Sequence, residues 1–196
     1  MPRKNNRNTR GRIIAAAWKL FYENGYEETT VEDILFESGT SRGSFYHYFN
    51  GKDALLGTLA SVFDEKYEEL SEQLDLREDA IEILRRLNHE LFAMIEDSIS
   101  RDLLARLLST QLFAQGEKQL LDRGRVYFRL LRKIILEGQK KGELRTDFTA
   151  NDIMKAYALW ERALLYDWCL WGGEYSLVGY SDRMTPLFLQ SYRGSS

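Results

Sequence analysis

Residues 29–49 read TTVEDILFESGTSRGSFYHYF, and this run decides the fold. Thr29 and Thr30 each stand three residues before an acid, Glu32 and Asp33. In that arrangement a hydroxyl and a carboxylate satisfy the free N–H groups of a helix start. Val31, Ile34 and Leu35 then form an apolar stripe over barely two turns, and Gly39 stops it. Ser41 can cap a second short helix, Arg42 to Tyr48. On that helix Phe45 and Phe49, four apart, can point into a core, which leaves Arg42, Gly43, Ser44, Tyr46 and His47 on the other face. Two short helices joined by a tight turn follow the helix-turn-helix plan, whose second helix enters the major groove of DNA. Gly43 costs about 1 kcal/mol relative to Ala in a helix interior, so its presence predicts close approach of a base edge or phosphate.

Working outward, Thr9 can cap a helix carrying Ile13, Ala17, Leu20 and Phe21, which Asn24-Gly25 stops. Downstream, Asn50 can cap a long helix through Leu55, Leu59, Val62, Phe63, Tyr67 and Leu70. Further helices are expected near Arg77 to Glu96, Arg101 to Phe113, Leu121 to Lys140, Ala150 to Trp171 and Val178 to Tyr192. Pro186 leaves the last one open: Thr185 caps a short helix there, or a longer helix kinks. From Ile153 to Trp171 apolar residues cover almost the whole circumference, which predicts burial on all sides with a partner subunit as the cover.

Composition agrees with an all-α fold. Of 196 residues 44% are hydrophobic, enough for a sizeable core, and only two are proline. Cys169 is the one cysteine, so no disulfide can close within the chain and no multi-cysteine metal site is expected. It reads as a small buried hydrophobe. No signal peptide and no run of about 18 apolar residues is visible, so the protein is expected in the cytoplasm, away from membranes. The net charge of −3 hides an asymmetry: of 27 basic and 30 acidic residues, eight and six lie within residues 1–52, leaving 19 and 24 for the rest. The first 20 residues hold Arg3, Lys4, Arg7, Arg10, Arg12 and Lys19 and no acid. Such an arm either binds a polyanion or is a solvated tail.

From Thr9 to Leu56 the pattern Ile13-Ile14, Ala16-Ala17, Leu20-Phe21, Gly25, TTVEDI, SGTSRGSFYHYF and GKDALL resembles the DNA-binding domain of tetracycline-repressor (TetR) family regulators. The remainder resembles them in helical content and in the GQKKGELR turn. The resemblance implies an N-terminal helix-turn-helix domain (residues 1–52) and a C-terminal helical bundle (residues 53–196) for ligand binding and dimerisation. It implies no enzyme and no cofactor or metal, but a homodimeric repressor released from a palindromic operator by a small apolar or aromatic effector. Thr30 and Ser41 would then hold phosphates at helix starts. Arg42, with Ser44, would face base edges beside Gly43, while Tyr46, His47 and Lys52 would hold the DNA backbone.

The effector wall is expected among His89, Phe92, Phe113, Tyr127, Tyr157 and Trp160, and the dimer contact among Trp160, Leu164, Trp168, Trp171, Leu187 and Phe188. For His89 the preferred reading is an ordinary half-buried histidine. The alternative is a ligand-independent DNA-binding or interaction protein whose C-terminal helices only dimerise. Gly39-Thr40-Ser41-Arg42-Gly43 also matches G-x-S-x-G, but a hydrolase elbow needs a strand before it and a histidine late in the chain. The two histidines are His47 and His89, and no zinc-ligand spacing occurs.

Overall fold

A computed structural model describes residues 3–113 and 119–194, without the side chains of residues 3–8, 113 and 119. Its elements in order are α1 Arg3–Asn24, α2 Val31–Ser38, α3 Arg42–Tyr48, α4 Asp53–Leu56, α5 Leu59–Glu72, α6 Ala80–Ser98, α7 Arg101–Phe113, a 3-10 turn at Gln119–Leu121, α8 Val126–Lys140, α9 Ala150–Leu170 and α10 Leu177–Gln190. Among the described residues there is no strand, only an isolated bridge between Leu144 and Arg193. The chain forms two compact units, Met1–Ser61 with Asp102–Gln115, and Val62–Arg101 with Gly116–Ser196.

In the first unit α1 packs on α2 and α3. Ile13, Ala17, Leu20 and Phe21 bury one face of α1, as their spacing predicts, against Ile34, Phe45 and Phe49. The α2 cap is Thr30, whose hydroxyl accepts from the Asp33 N–H while the Asp33 carboxylate accepts from Thr30. Thr29 is buried instead and donates to the Gly25 carbonyl. Gly39 closes α2 at φ 60°, a left-handed conformation that glycine adopts without strain. Leu103, Leu104 and Leu107 of α7 are buried in the same unit.

Three elements differ from the sequence reading by more than a boundary shift of one turn. Helix α1 runs from Arg3, so Thr9 lies inside it rather than capping it. The helix expected after Asn50 is two: α4 starts behind Lys52 without a side-chain cap, and the chain tightens at Gly57-Thr58. There the Thr58 hydroxyl donates to the Leu55 carbonyl and accepts from the Trp18 indole, a local bond that competes with helix propagation. Helix α8 begins at Val126, after the 3-10 turn, rather than at Leu121.

The second unit is a bundle in which α10 packs on α6 and α9, and α8 packs on α6 and α9. Leu84, Leu87, Leu91, Phe92 and Ile95 of α6 meet Leu131, Ile134 and Ile135 of α8 and Ile153, Met154 and Tyr157 of α9 as core. Gly138, the first residue of the GQKKGELR turn, allows a close approach: a Cβ there would stand 2.5 Å from that of Ala80 and 2.9 Å from Leu144 Cδ1. Thr149 and Asp152 box the start of α9. Pro186 sits inside a continuous α10, so Thr185 is not a cap; its hydroxyl is buried in side-chain hydrogen bonds.

Candidate nucleic-acid interface

Helix α3 divides as its spacing predicts. Phe45 is fully buried, Phe49 nearly so, and their rings lie 5.8 Å apart, while Arg42, Gly43, Tyr46 and His47 are exposed. The Ser41 hydroxyl caps α3 by accepting from the Ser44 N–H at 3.2 Å, and the two hydroxyls lie 2.9 Å apart. Ser44 is therefore half-buried and partly committed to the cap. A Cβ added at Gly43 would meet nothing within 4 Å. Packing within this unit therefore does not require that glycine.

Arg42 is paired with Glu32 of α2 across the turn, both side chains being largely exposed. An exposed pair of this kind contributes about 0–1 kcal/mol, so an incoming phosphate or guanine can take the guanidinium over. The exposed Thr30 keeps its hydroxyl on Asp33, and this bond pulls the Asp33 carboxyl below its ordinary pKa.

Basic residues of α1 turn inward on this unit. Arg12 donates to the Gly39 carbonyl at 3.3 Å, Lys19 pairs with Glu37 at 2.7 Å, and the Arg10 guanidinium lies over the Phe49 ring. The side chains of Arg3, Lys4 and Arg7 lie outside the described residues.

Lys52 departs from its expected role. Its ammonium donates to the Tyr26 carbonyl at 2.6 Å and the Thr29 carbonyl at 2.8 Å, with Glu27 at 3.4 Å, and it lies over the Tyr26 ring. Its donors are used up tying the α1–α2 loop, because that loop leaves three carbonyls facing one point. The same Tyr26 donates to Asp53 and lies under the Arg106 guanidinium of α7, which pairs with Glu27. Burial and the Asp53 bond raise the Tyr26 pKa.

The residues expected around an effector do not all come together. Phe92, Tyr127 and Tyr157 are buried in the second unit, whereas His89 is half-exposed and bonded to Asp182 of α10 at 3.0 Å. The Phe113 side chain lies outside the described residues. Trp160 stacks on Phe188 at 4.9 Å and donates to Thr185. The sequence reading missed the centre of this region, Glu161, which is 4% exposed and accepts from Asn88 Nδ2 at 2.9 Å and the Tyr127 hydroxyl at 2.6 Å. A signal was visible: Glu161 interrupts the apolar run YALW-E-RALLY.

The expected dimer residues split as well. Leu164 and Trp168 are buried within their own unit, while Trp171 and Leu187 are exposed at 61% and 67%. The circumference of α9 is therefore not covered: Leu159, Ala163, Tyr166 and Leu170 form an exposed stripe at helical spacing. These neighbours of the named positions escaped the sequence reading because a wholly apolar helix does not reveal which side its own unit covers.

Residues 13–59 match the family model described as bacterial regulatory proteins, tetR family. Over these residues the chain carries the DNA-binding domain of TetR-family regulators. Among its relatives, it is 28% identical to the HTH-type transcriptional repressor DhaR of a Mycobacterium species, over 80% of each chain. It is 27% identical to the HTH-type transcriptional regulator TtgR of Pseudomonas putida, over 94% of this chain and 91% of that one. The fold is shared with the transcriptional regulator FadR of Bacillus subtilis, solved with stearoyl-CoA, at TM-score 0.68 and 22% identity over 91% of this chain and 96% of that one. Among the described residues no helix is long and apolar enough to cross a membrane.

Proposed function

We propose that this chain is a homodimeric TetR-family repressor that reads a palindromic operator through α3 and leaves it when a small apolar or aromatic effector enters the helical unit. The carrying observation is the division of α3, whose aromatic pair is consumed by the core while Arg42, Gly43, Tyr46 and His47 stay open. In this reading residues 1–52 supply the DNA contacts and residues 53–196 the effector site and dimer contact. Arg42 reads base edges after exchanging Glu32 for guanine, Gly43 admits the DNA backbone, and Tyr46, His47 and the helix starts at Thr30 and Ser41 hold phosphates. Lys52 is left out of the phosphate set because three carbonyls hold it.

The exposed stripe of α9 with Trp171 and Leu187 suits a second copy of the chain, which would pair two α3 helices about 34–36 Å apart or a multiple of it. The effector reading draws support from the FadR relative, whose structure holds stearoyl-CoA. An effector releases DNA only if it binds the DNA-incompetent arrangement more tightly, since equal affinity shifts nothing.

Selection of bound duplexes from a random pool tests the reading. An enriched palindrome whose half-sites lie one or two helical turns apart is expected, with binding that weakens steeply as salt rises. Enrichment of no sequence, or binding of one half-site by a monomer, would overturn it.

A further inference from the structure

We propose that Glu161 and the three tyrosines around it, Tyr67, Tyr127 and Tyr157, receive the positively charged end of an effector, a protonated amine carried on an apolar body. The inference rests on the effector reading above and specifies its ligand.

Glu161 is almost fully buried, yet its partners are neutral: Asn88 and Tyr127 donate to it, and Tyr157, whose hydroxyl donates to the Leu84 carbonyl, lies within hydrogen-bonding reach. Among the described residues no ion pair involves it, and Arg162, next along α9, acts on it only through space. Each carboxylate oxygen accepts one of these bonds, Oε1 from Asn88 and Oε2 from Tyr127, but neither neutral donor offsets the buried charge, so the acid keeps an attraction for a cation. Burial pushes its pKa up from the ordinary value, the direction expected for a carboxylate whose counter-ion is missing.

Two further features point to the same ligand. The Tyr67 hydroxyl is buried and has no hydrogen-bond partner among the described residues, an uncommon state for a buried polar atom, and its ring lies 5.0 Å from that of Tyr127. An ammonium N–H can donate to the Tyr67 oxygen, while aromatic faces attract its charge. The carboxylate is also held in place. Asn88 Oδ1 accepts from Ser181 and Thr185, which turns the amide N–H towards Glu161, and Trp160 donates to Thr185 behind them. An anionic ligand end meets like charge here, and a neutral one leaves the carboxylate uncompensated.

The test compares n-octylamine, 1-octanol and octanoate, which share one alkyl body, by calorimetry and thermal shift on the full-length protein at neutral pH. The amine is expected to bind about ten-fold or more tighter than the other two. In Glu161→Gln that preference is expected to vanish while the far-ultraviolet spectrum and DNA binding persist. Tyr67→Phe, which removes the unpartnered hydroxyl, is expected to weaken amine binding several-fold without loss of thermal stability. Unchanged amine preference in Glu161→Gln, equal affinity for all three compounds, or no amine binding up to its solubility would overturn the inference. Release of selected DNA by octanol or octanoate, independent of Glu161, would keep the effector reading and sink this one. Failure of the unliganded protein to select DNA would sink the regulator reading and with it the effector role of this site, even where the amine preference persists.

Discussion

The two units differ in how the polar groups nearest their candidate sites are satisfied. In the DNA-binding unit the starts of α2 and α3 are satisfied locally, by residues three or four positions away: Thr30 with Asp33, Ser41 with Ser44, Thr29 with Gly25, while longer-range bonds such as those of Lys52 tie its loops. In the helical unit the bonds of its polar core span long separations, Asn88 with Glu161, Tyr157 with Leu84, Trp160 with Thr185. Locally capped helices leave their outer faces uncommitted, and α3 has such a face to offer to DNA. A polar cluster assembled from four helices can respond to what enters it, since any one helix that moves breaks bonds on the others.

The contrast can be broken most severely in the DNA-binding core. Phe45→Ala is expected to cost about 3–5 kcal/mol, enough to abolish DNA binding, and chemical denaturation would reveal it as an early transition of one unit. Full stability in that variant would mean that α3 is not anchored by its aromatic pair. Next in size, Leu187→Glu is expected to dissociate the proposed dimer with the protomer still folded, at about 2–4 kcal/mol of association energy. Leu164→Glu, buried in its own unit, is expected to unfold the protomer instead. Sedimentation and circular dichroism of the two variants side by side separate interface from core.

At the DNA face, Arg42→Ala is expected to cost about 1–3 kcal/mol on the selected site and much less on random duplex. Equal losses on both would reassign Arg42 to phosphate. Lys52→Ala is expected to act through stability instead, lowering the melting temperature and leaving the salt slope of DNA binding unchanged. A slope reduced by about one would restore it as a phosphate contact.

The smallest effect sharpens the role of local capping. Thr30→Ala is expected to cost about 1 kcal/mol at neutral pH. The Asp33 carboxyl is held below its ordinary pKa by Thr30, so its contribution is present above the unfolded value and fades as pH falls through the folded one. The difference between wild type and Thr30→Ala should therefore shrink in acid. A penalty independent of pH would show that the Asp33 half of the box contributes nothing.

Much of the DNA-binding unit was legible because its information is short-range. The caps at Thr30 and Ser41, the stop at Gly39 and the inward turn of Phe45 and Phe49 depend on neighbours within one or two turns. Where sequence reading failed, a distant partner had intervened. Lys52 looked like a free cation beside DNA, but residues 26, 27 and 29 turn three carbonyls towards it. Asn50 looked like the cap of one long helix, but Thr58, bonded to Trp18 forty residues away, divides it in two.

The sequence by itself determined that the chain is helical, where its reading helix begins and ends, and which α3 side chains a core must claim, because periodicity and capping act within a few residues. Only the tertiary structure decided that α7 belongs with the N-terminal helices, that Leu164 and Trp168 serve their own unit while Leu159, Tyr166 and Leu170 stay exposed, and that Glu161 meets Asn88 and Tyr127 in the interior. These outcomes depend on which faces of distant helices meet, and a hydrophobic residue carries no label for the partner that will cover it.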